Sequence, residues 1–241
     1  MKVLSIGNSF SQDSHKWLHK LAVKNGVELE TVNLNIGGCS LETHWNNVAE
    51  NNESYFLDVC GDTAERKNSI IEALRLEKWD IITVQQVSDL SGVYKSYEPY
   101  LTLLVDTVRK ECPDAKIYFH QTWAYEIDSK HGGFVKYNNS QAEMYRCIVE
   151  TSEKAAQSIN AELIPTGKAI QTLRNEVPEF DYKNGGVSLC RDGFHLSLDY
   201  GRFAAAATWL HTICGVTVKA DSFEDFNPIL LKKILDVVNK L

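Results

Sequence analysis

Near its two ends the chain carries the three side chains that together turn a hydroxyl into a nucleophile. Ser9 follows a short apolar stretch close to the N-terminus, and Asp192 and His195 lie three residues apart near the C-terminus. A serine hydroxyl attacks a carbonyl when a base removes its proton, and an imidazole held by a carboxylate is such a base. The residue types therefore predict nucleophilic catalysis, with Ser9 as nucleophile, His195 as base and Asp192 orienting the ring.

Each half of this pattern also has a plain structural explanation. Asn8, Ser9 and Ser11 are all good N-cap residues, so the segment after Gly7 could simply begin a helix. An isolated Asp-x-x-His spacing has little specificity, and a surface aspartate beside a core histidine fits it equally well. From these residues alone, both the structural and the catalytic interpretation stay open.

The elements that must position these residues alternate between strand and helix. The predicted strands are residues 2–6, 28–34, 79–85, 116–121 and 162–165. The predicted helices are residues 11–25, 41–48, 63–76, 97–110, 141–160, 166–174, 200–214 and 228–241. This order predicts one domain, residues 1–241, with a three-layer α/β/α, flavodoxin-like fold around about five parallel strands.

Several candidate residues come directly after predicted strands. Ligands of such sheets bind beyond the carboxyl ends of the strands, so these residues are expected to gather at one edge. They are Ser9, the Gly37–Gly38 turn, Gln85, Gln86 and Trp123. This convergence does not depend on any family resemblance.

Two long loops follow the third and fourth predicted strands. Residues 87–96 and 124–139 both exceed the usual strand-to-helix connection of about 2–6 residues. Long loops at this edge usually shape or cover a substrate pocket, so we expect both to rise over Ser9. Trp123 and Tyr125 lie just past the fourth strand. They either belong to the core or contact the substrate, as stacking partners of a sugar ring or as neighbours of an acyl chain.

Three short segments occur in a fixed order along the chain: Gly7-Asn8-Ser9-Phe10-Ser11, then Gly37-Gly38, then Asp192-Gly-Phe-His195. In this order the chain resembles the SGNH, or GDSL, hydrolase superfamily of serine esterases over nearly its whole length. The resemblance implies ester hydrolysis through an acyl-enzyme, with no metal or organic cofactor. It also shows a departure, because Asn8 stands where the superfamily has an aspartate. Asn8 removes a charge next to the site and is a candidate substrate contact.

The resemblance also implies three donors that stabilise the oxyanion. They are the N–H of Ser9, a glycine N–H best matched by Gly38, and an Asn side chain after the third strand. The block that carries this Asn is absent, and Gln85 and Gln86 stand in its place. A Gln amide can donate as Asn does, and strand alternation allows only one of the two to qualify. Some carbohydrate esterases of the superfamily carry Gln here, which favours acetyl groups on carbohydrates.

Composition and charge limit the other function classes. The net charge is −7, which argues against nucleic acid or an anionic membrane as the main partner. No apolar run could span a bilayer and the N-terminus is not typical of a signal peptide, so a cytoplasmic protein is predicted. Six scattered cysteines predict free, mostly buried thiols and no zinc site. His15 and His19 have a metal-binding spacing but no third ligand, so exposed helix residues are favoured. Nothing in the sequence indicates the oligomeric state.

Two alternatives from other classes stay open. One is a thioesterase or lysophospholipase that uses the same triad on a longer acyl group. The other is a non-catalytic binding protein that kept the fold, which Asn8 and the missing third block would explain. Labelling of Ser9 by a fluorophosphonate separates the second alternative from the enzymes, and a series of acyl chain lengths separates the first.

Overall fold

The structure of this chain is a computed structural model, which describes the whole backbone and every side chain except those of Glu65 and Arg66. Its strands are β1 (Lys2–Gly7), β2 (Glu30–Asn35), β3 (Tyr55–Val59), β4 (Asp62–Asn68), β5 (Ile81–Val84), β6 (Lys116–His120) and β7 (Glu162–Ile164). Its helices are α1 (Ser9–His15), α2 (Leu18–Lys24), α3 (Leu41–Glu50), α4 (Ile70–Leu76), α5 (Tyr100–Glu111), α6 (Gln141–Ser158), α7 (Thr166–Glu176), α8 (Tyr200–Cys214) and α9 (Pro228–Val238).

All the strands form one sheet in the order β4-β3-β2-β1-β5-β6-β7. The five strands from β2 to β7 in this order are parallel, and β3 and β4 extend the sheet as antiparallel strands. Helices α1, α2, α7, α8 and α9 cover one face, and α3, α4 and α5 cover the other. The predicted three-layer α/β/α fold with five parallel strands is confirmed.

The central strands are apolar because both of their faces are covered. In β1, Val3 packs into the core on the α8 side, while Leu4 and Ile6 pack into the core on the α5 side. Burying one such side chain fully contributes roughly 1.5–3 kcal/mol. Helix α8 is buried almost all round, and its run of alanines from 204 to 207 lets it lie close to its neighbours. Ser9 thus follows a central strand whose last five residues are buried.

The structure corrects the prediction of a helix over residues 63–76. Residues Asp62–Asn68 form the edge strand β4, and the helix begins only at Ile70, capped by Ser69. Ala, Glu, Arg and Lys in this stretch favour a helix, but pairing with β3 overrides that local preference. Cys60 and Gly61 make the connecting two-residue turn, and both have positive φ, which suits the twist of a hairpin.

The first predicted helix, residues 11–25, is also two helices. With Asn8 as its N-cap, the helix begins at Ser9, two residues before the predicted start. It is interrupted at Lys16 and Trp17 before α2 begins. The six cysteines are free thiols, as predicted, although only Cys39 and Cys190 are fully buried. Among the described residues, no helix combines the length and apolarity that a bilayer crossing needs.

Candidate active site

Ser9 is the first residue of α1, at the point where the chain leaves the end of β1. Asn8 caps the helix: its Oδ1 accepts from the Phe10 N–H at 2.9 Å, and its own N–H donates to Ser11 Oγ at 3.1 Å. Gly7 is required before this cap, because a Cβ at that position would lie 2.1 Å from Ser11 Oγ. The local sequence therefore turns the chain sharply from strand to helix and leaves the Ser9 side chain half-buried beyond the sheet.

The three predicted catalytic side chains meet at this edge. Ser9 Oγ lies 2.9 Å from His195 Nε2, across 186 residues of sequence. His195 Nδ1 lies 2.7 Å from Asp192 Oδ2. The carboxylate selects the tautomer in which Nδ1 donates to Asp192 and Nε2 accepts from the Ser9 hydroxyl. This arrangement can take a proton from Ser9 as its oxygen attacks.

One turn of chain presents both Asp192 and His195. The other carboxylate oxygen of Asp192 accepts from the backbone N–H groups of Phe194 at 3.2 Å and His195 at 2.8 Å. Partial burial would raise the pKa of Asp192, but these bonds and the bond from the His195 ring outweigh it and hold the pKa below its ordinary value. Asp192 is therefore a carboxylate at neutral pH.

Two aromatic rings fill the space next to Ser9 on the α8 side of the sheet. Phe10 stacks on Trp123 with ring centroids 4.2 Å apart, and Trp123 Nε1 donates to the Phe194 carbonyl at 2.7 Å. Trp123 and Tyr125 are both 0% exposed, and the Tyr125 hydroxyl bonds Ser88 Oγ at 2.8 Å. A ring without exposed surface cannot stack on a sugar. The buried positions of Trp123 and Tyr125 therefore do not fit the substrate contact considered for them. Trp123 instead supports the triad through its bond to Phe194.

Asn8 is buried to the same extent as Gln85 and Gln86, with 1% of each residue exposed. Its Nδ2 donates to the Cys39 carbonyl at 3.0 Å, and its Oδ1 accepts from Gln85 Nε2 at 2.8 Å. Gln85 Oε1 in turn bonds His120 Nδ1 at 2.7 Å. An aspartate at position 8 would place a carboxylate oxygen against the Cys39 carbonyl. The departure from the superfamily pattern therefore has a structural reason: the amide ties the helix of Ser9 to the Gly37–Gly38 turn.

The two glutamines point to different partners, as strand alternation requires. Gln86 Oε1 accepts from the backbone N–H groups of Leu41 at 3.0 Å and Val87 at 2.8 Å. Gln86 Nε2 donates to the carbonyl and the hydroxyl of Ser96, at 3.0 and 3.1 Å. Both of its amide hydrogens are used. Gln85 Nε2 donates one amide hydrogen to Asn8 Oδ1. Its second amide hydrogen has no hydrogen-bond partner among the described residues.

Gly38 lies in the exposed turn between β2 and α3. Its φ of +67° is a left-handed conformation that glycine adopts at little cost. Ser40 caps α3 just after it, with its Oγ accepting from the Thr43 N–H at 3.2 Å. Because Asn8 bonds the carbonyl of Cys39, the Gly38 turn is held against the N-terminal end of α1.

The two long loops pack against each other. The Tyr137 hydroxyl donates to the Asp89 carbonyl at 3.1 Å and accepts from the Gly92 N–H at 2.9 Å, while Lys136 pairs with Asp89 at 2.8 Å. The second loop also reaches the triad: the rings of His131 and Phe194 are 4.8 Å apart, and those of Phe194 and His195 are 4.1 Å apart. The loops therefore form one wall beside His195.

Three histidines are buried in the core. His15, expected on a helix surface, is 0% exposed and bonds Ser5 Oγ at 2.8 Å. His44 bonds the Tyr55 hydroxyl at 2.9 Å, and His120 bonds Gln85. Burial lowers the pKa of each to about 3, with His15 adding to the effect on His120. The signal for His15 was available, since it shares a helical face with Leu18 and Ala22.

His15 and His19, whose spacing raised the possibility of a metal, have separate partners. His19 is half-buried and its Nδ1 bonds the Leu29 carbonyl at 2.7 Å, away from the buried His15. Nowhere in the described part of the chain do three or more His, Cys, Asp or Glu side chains stand together as a metal site.

A family model described as "Domain of unknown function (DUF4886)" matches residues 2–228. The chain belongs to the DUF4886 family. A crystal structure of a DUF4886 family protein from Bacteroides uniformis is 37% identical, covers 100% of this chain and 93% of its own, and superposes with a TM-score of 0.91. Among curated proteins, none matches this DUF4886 sequence.

More distant solved structures share the fold. A putative SGNH hydrolase from Slackia heliotrinireducens is 21% identical over 88% of this chain and 98% of its own, with a TM-score of 0.59. Axe2, an acetylxylan esterase from Geobacillus stearothermophilus, is 15% identical over 91% of this chain and 96% of its own, with a TM-score of 0.55. The predicted resemblance to the SGNH superfamily is confirmed at the level of the fold.

Proposed function

We propose that this DUF4886 protein is a serine ester hydrolase that works through an acyl-enzyme on Ser9. The observation that carries the proposal is the hydrogen-bonded chain from Ser9 Oγ to His195 at 2.9 Å and from His195 to Asp192 at 2.7 Å. These residues come from opposite ends of the sequence, and a helix cap alone would not require a histidine at the serine oxygen. The capped-helix explanation accounts for Asn8 and leaves this contact unexplained.

The chemistry follows from the geometry. Ser9 Oγ attacks the carbonyl carbon of the ester while His195 Nε2 takes the hydroxyl proton. Asp192 stabilises the imidazolium through Nδ1–H. The tetrahedral intermediate then expels the alcohol, which receives the proton from His195, and leaves an acyl group on Ser9. A water molecule attacks this acyl group with His195 again as base, and the carboxylic acid leaves as the proton returns to Ser9.

Three donors are proposed for the oxyanion. The N–H of Ser9 is at the start of a helix, where backbone N–H groups have no intrahelical partner. The N–H of Gly38 lies in the turn that Asn8 holds nearby. Gln85 is the better third candidate, because its amide keeps a free hydrogen whereas both hydrogens of Gln86 are engaged by Ser96.

Replacing Gln85 with alanine is expected to lower kcat by about 10²–10³, the usual cost of one oxyanion donor. Gln86→Ala is the matched control, because its contacts hold α3 and a loop and its loss should lower the melting temperature more than kcat. Steady-state kinetics with p-nitrophenyl acetate and thermal melts measure both effects. A kcat within tenfold of the parent protein for both variants would exclude the two glutamines as donors.

We propose a short acyl group, acetyl above all, on a polar alcohol such as a sugar. A tunnel for a long chain needs apolar space beside Ser9, since each buried CH₂ contributes about 0.8 kcal/mol only when it leaves water. On the α8 side of the sheet that space is filled by the stacked rings of Phe10 and Trp123. A cavity of about 320 Å³ has Asp192 in its lining, together with the charged side chains of Glu126, Asp128, Lys130 and Arg191.

The chain-length preference is measured with p-nitrophenyl esters of two to twelve carbons. We expect kcat/KM to be highest for acetyl and to fall for acyl chains of eight carbons or more. Phe10→Ala is a useful comparison, since it opens space beside Ser9 and should reduce the discrimination against long chains. A kcat/KM that climbs steadily with chain length would contradict the acetyl preference and favour the thioesterase or lysophospholipase alternative.

A further inference from the structure

Asp13 lies one helical turn after Ser9 on α1, and its side chain is completely buried. A buried carboxylate is costly unless charged and polar partners surround it. Its partners are Arg191, Arg202 and the backbone N–H of Leu196. Two of these three belong to the segment of residues 191–196 that presents Asp192 and His195, which we name the triad loop.

The Asp13 carboxylate accepts hydrogen bonds from the residues on both sides of the catalytic pair, Asp192 and His195. Arg191, immediately before Asp192, donates from Nη1 to the two oxygens of Asp13 at 3.0 and 3.1 Å. Leu196, immediately after His195, donates its backbone N–H to Asp13 Oδ2 at 2.8 Å. The loop is also closed on itself, by a bond from the Arg191 N–H to the His195 carbonyl at 2.9 Å.

The third partner does not belong to the loop. Arg202 is on α8 and reaches Asp13 Oδ1 with Nε and Nη2, both at 2.8 Å. The far side of the triad loop is held by other elements, through Trp123 to the Phe194 carbonyl and through the Glu126 N–H to the Gly193 carbonyl at 2.7 Å. Asp13 supplies the hydrogen bonds from the helix of Ser9 to the residues that flank the catalytic pair.

We propose that Asp13 is a positioning residue that fixes the separation of Ser9 and His195. This inference rests on the proposed function of the triad. Ser9 and His195 are 186 residues apart in the sequence, and a misplacement of about 1 Å can cost 10²-fold in rate. One carboxylate on the helix of Ser9, bonded to the residues that flank the catalytic pair, sets this distance directly.

The two arginines provide a matched pair of variants, because both neutralise Asp13 but only Arg191 belongs to the triad loop. Arg191→Gln is expected to lower kcat for p-nitrophenyl acetate by roughly 10²-fold, with KM changed less than about threefold. Arg202→Gln is expected to lower the melting temperature and keep kcat within about threefold of the parent. Asp13→Asn, which keeps the shape of the side chain, should resemble Arg191→Gln in kcat.

Hydrogen exchange separates this inference from the proposed function. Amide exchange in residues 191–197 should accelerate in Asp13→Asn and Arg191→Gln and stay at the parent rate in Arg202→Gln. Equal losses of kcat in Arg191→Gln and Arg202→Gln would overturn the positioning role. Amide exchange at the parent rate in both Asp13→Asn and Arg191→Gln would overturn it as well. Should the parent protein neither hydrolyse the ester nor react with a fluorophosphonate, the proposed function fails, while the exchange measurement still decides whether Asp13 fixes the loop. If Asp13→Asn does not fold, the arginine pair decides alone.

Discussion

Replacing Ser9 with alanine is expected to reduce turnover of p-nitrophenyl acetate by roughly 10³-fold or more, because triad residues act as a unit. The substitution removes the oxygen that His195 bonds at 2.9 Å and disturbs little else, since Asn8 caps the helix through its own side chain. His195→Ala should show a loss of similar size. The double variant should lose little more than either single one, because the remaining group has no partner to work with.

Asp192→Asn extends this test to the third residue. The asparagine keeps the bonds from the backbone N–H groups of Phe194 and His195 but no longer selects the productive tautomer, so a severe loss of kcat is expected. Circular dichroism and thermal melts establish that each variant is folded. Hydrolysis at the parent rate by a folded Ser9→Ala protein would reject catalysis by Ser9.

Acidification from pH 7 to pH 5 is expected to remove several kcal/mol of stability. His15, His44 and His120 are buried with pKa values of about 3, against an ordinary value of 6.5. A base whose pKa is lowered by folding stabilises the native state fully above the unfolded pKa, and this stability is lost as the pH falls from about 6.5 toward 3. At pH 5 each such histidine lowers the free energy of unfolding by roughly 2 kcal/mol, because it takes up a proton only on unfolding. This is a large share of the typical total of about 5–15 kcal/mol.

Urea unfolding at a series of pH values between 7 and 4.5 measures this effect. The slope of the unfolding free energy below pH 6 should correspond to the uptake of about three protons on unfolding, or about 4 kcal/mol per pH unit. His44→Gln is the informative variant, because it lies away from the triad and should reduce the slope by about one proton. A slope of less than one proton in the parent protein would contradict the burial of these rings.

The fold was predictable where hydrophobic patterns decide it. Strands β1, β5 and β6 have largely apolar sequences, and α5 shows its buried face as Leu101, Leu104, Val105 and Val108. The hairpin was not predictable in this way, because the sequence of β4 has the composition of a helix and its pairing with β3 is decided by tertiary contacts. Edge strands with charged side chains commonly lack an apolar pattern.

The reacting groups of the site were predictable from the sequence, whereas the residues that position them were less predictable. Residue type and block order brought together Ser9, His195 and Asp192, because the resemblance to the SGNH superfamily gives each of them a place in the first or the last block. Residues with several possible roles could not be assigned: Asn8 was a candidate substrate contact, Trp123 was either a core ring or a substrate contact, and both are buried. Asp13 gave no sequence signal beyond suiting a first helical turn, since its partners are about 180 residues away.

The most direct measurement of the central claim is covalent labelling of Ser9 by a fluorophosphonate, followed by peptide mass mapping. The account predicts one adduct per chain, on the peptide that contains Ser9, and no adduct in the Ser9→Ala or His195→Ala protein. Pre-incubation with an excess of acetyl ester should slow the labelling, since both compete for the same oxygen. A folded parent protein that stays unlabelled, or an adduct on another serine that persists in Ser9→Ala, would contradict the assignment of Ser9 as an activated nucleophile.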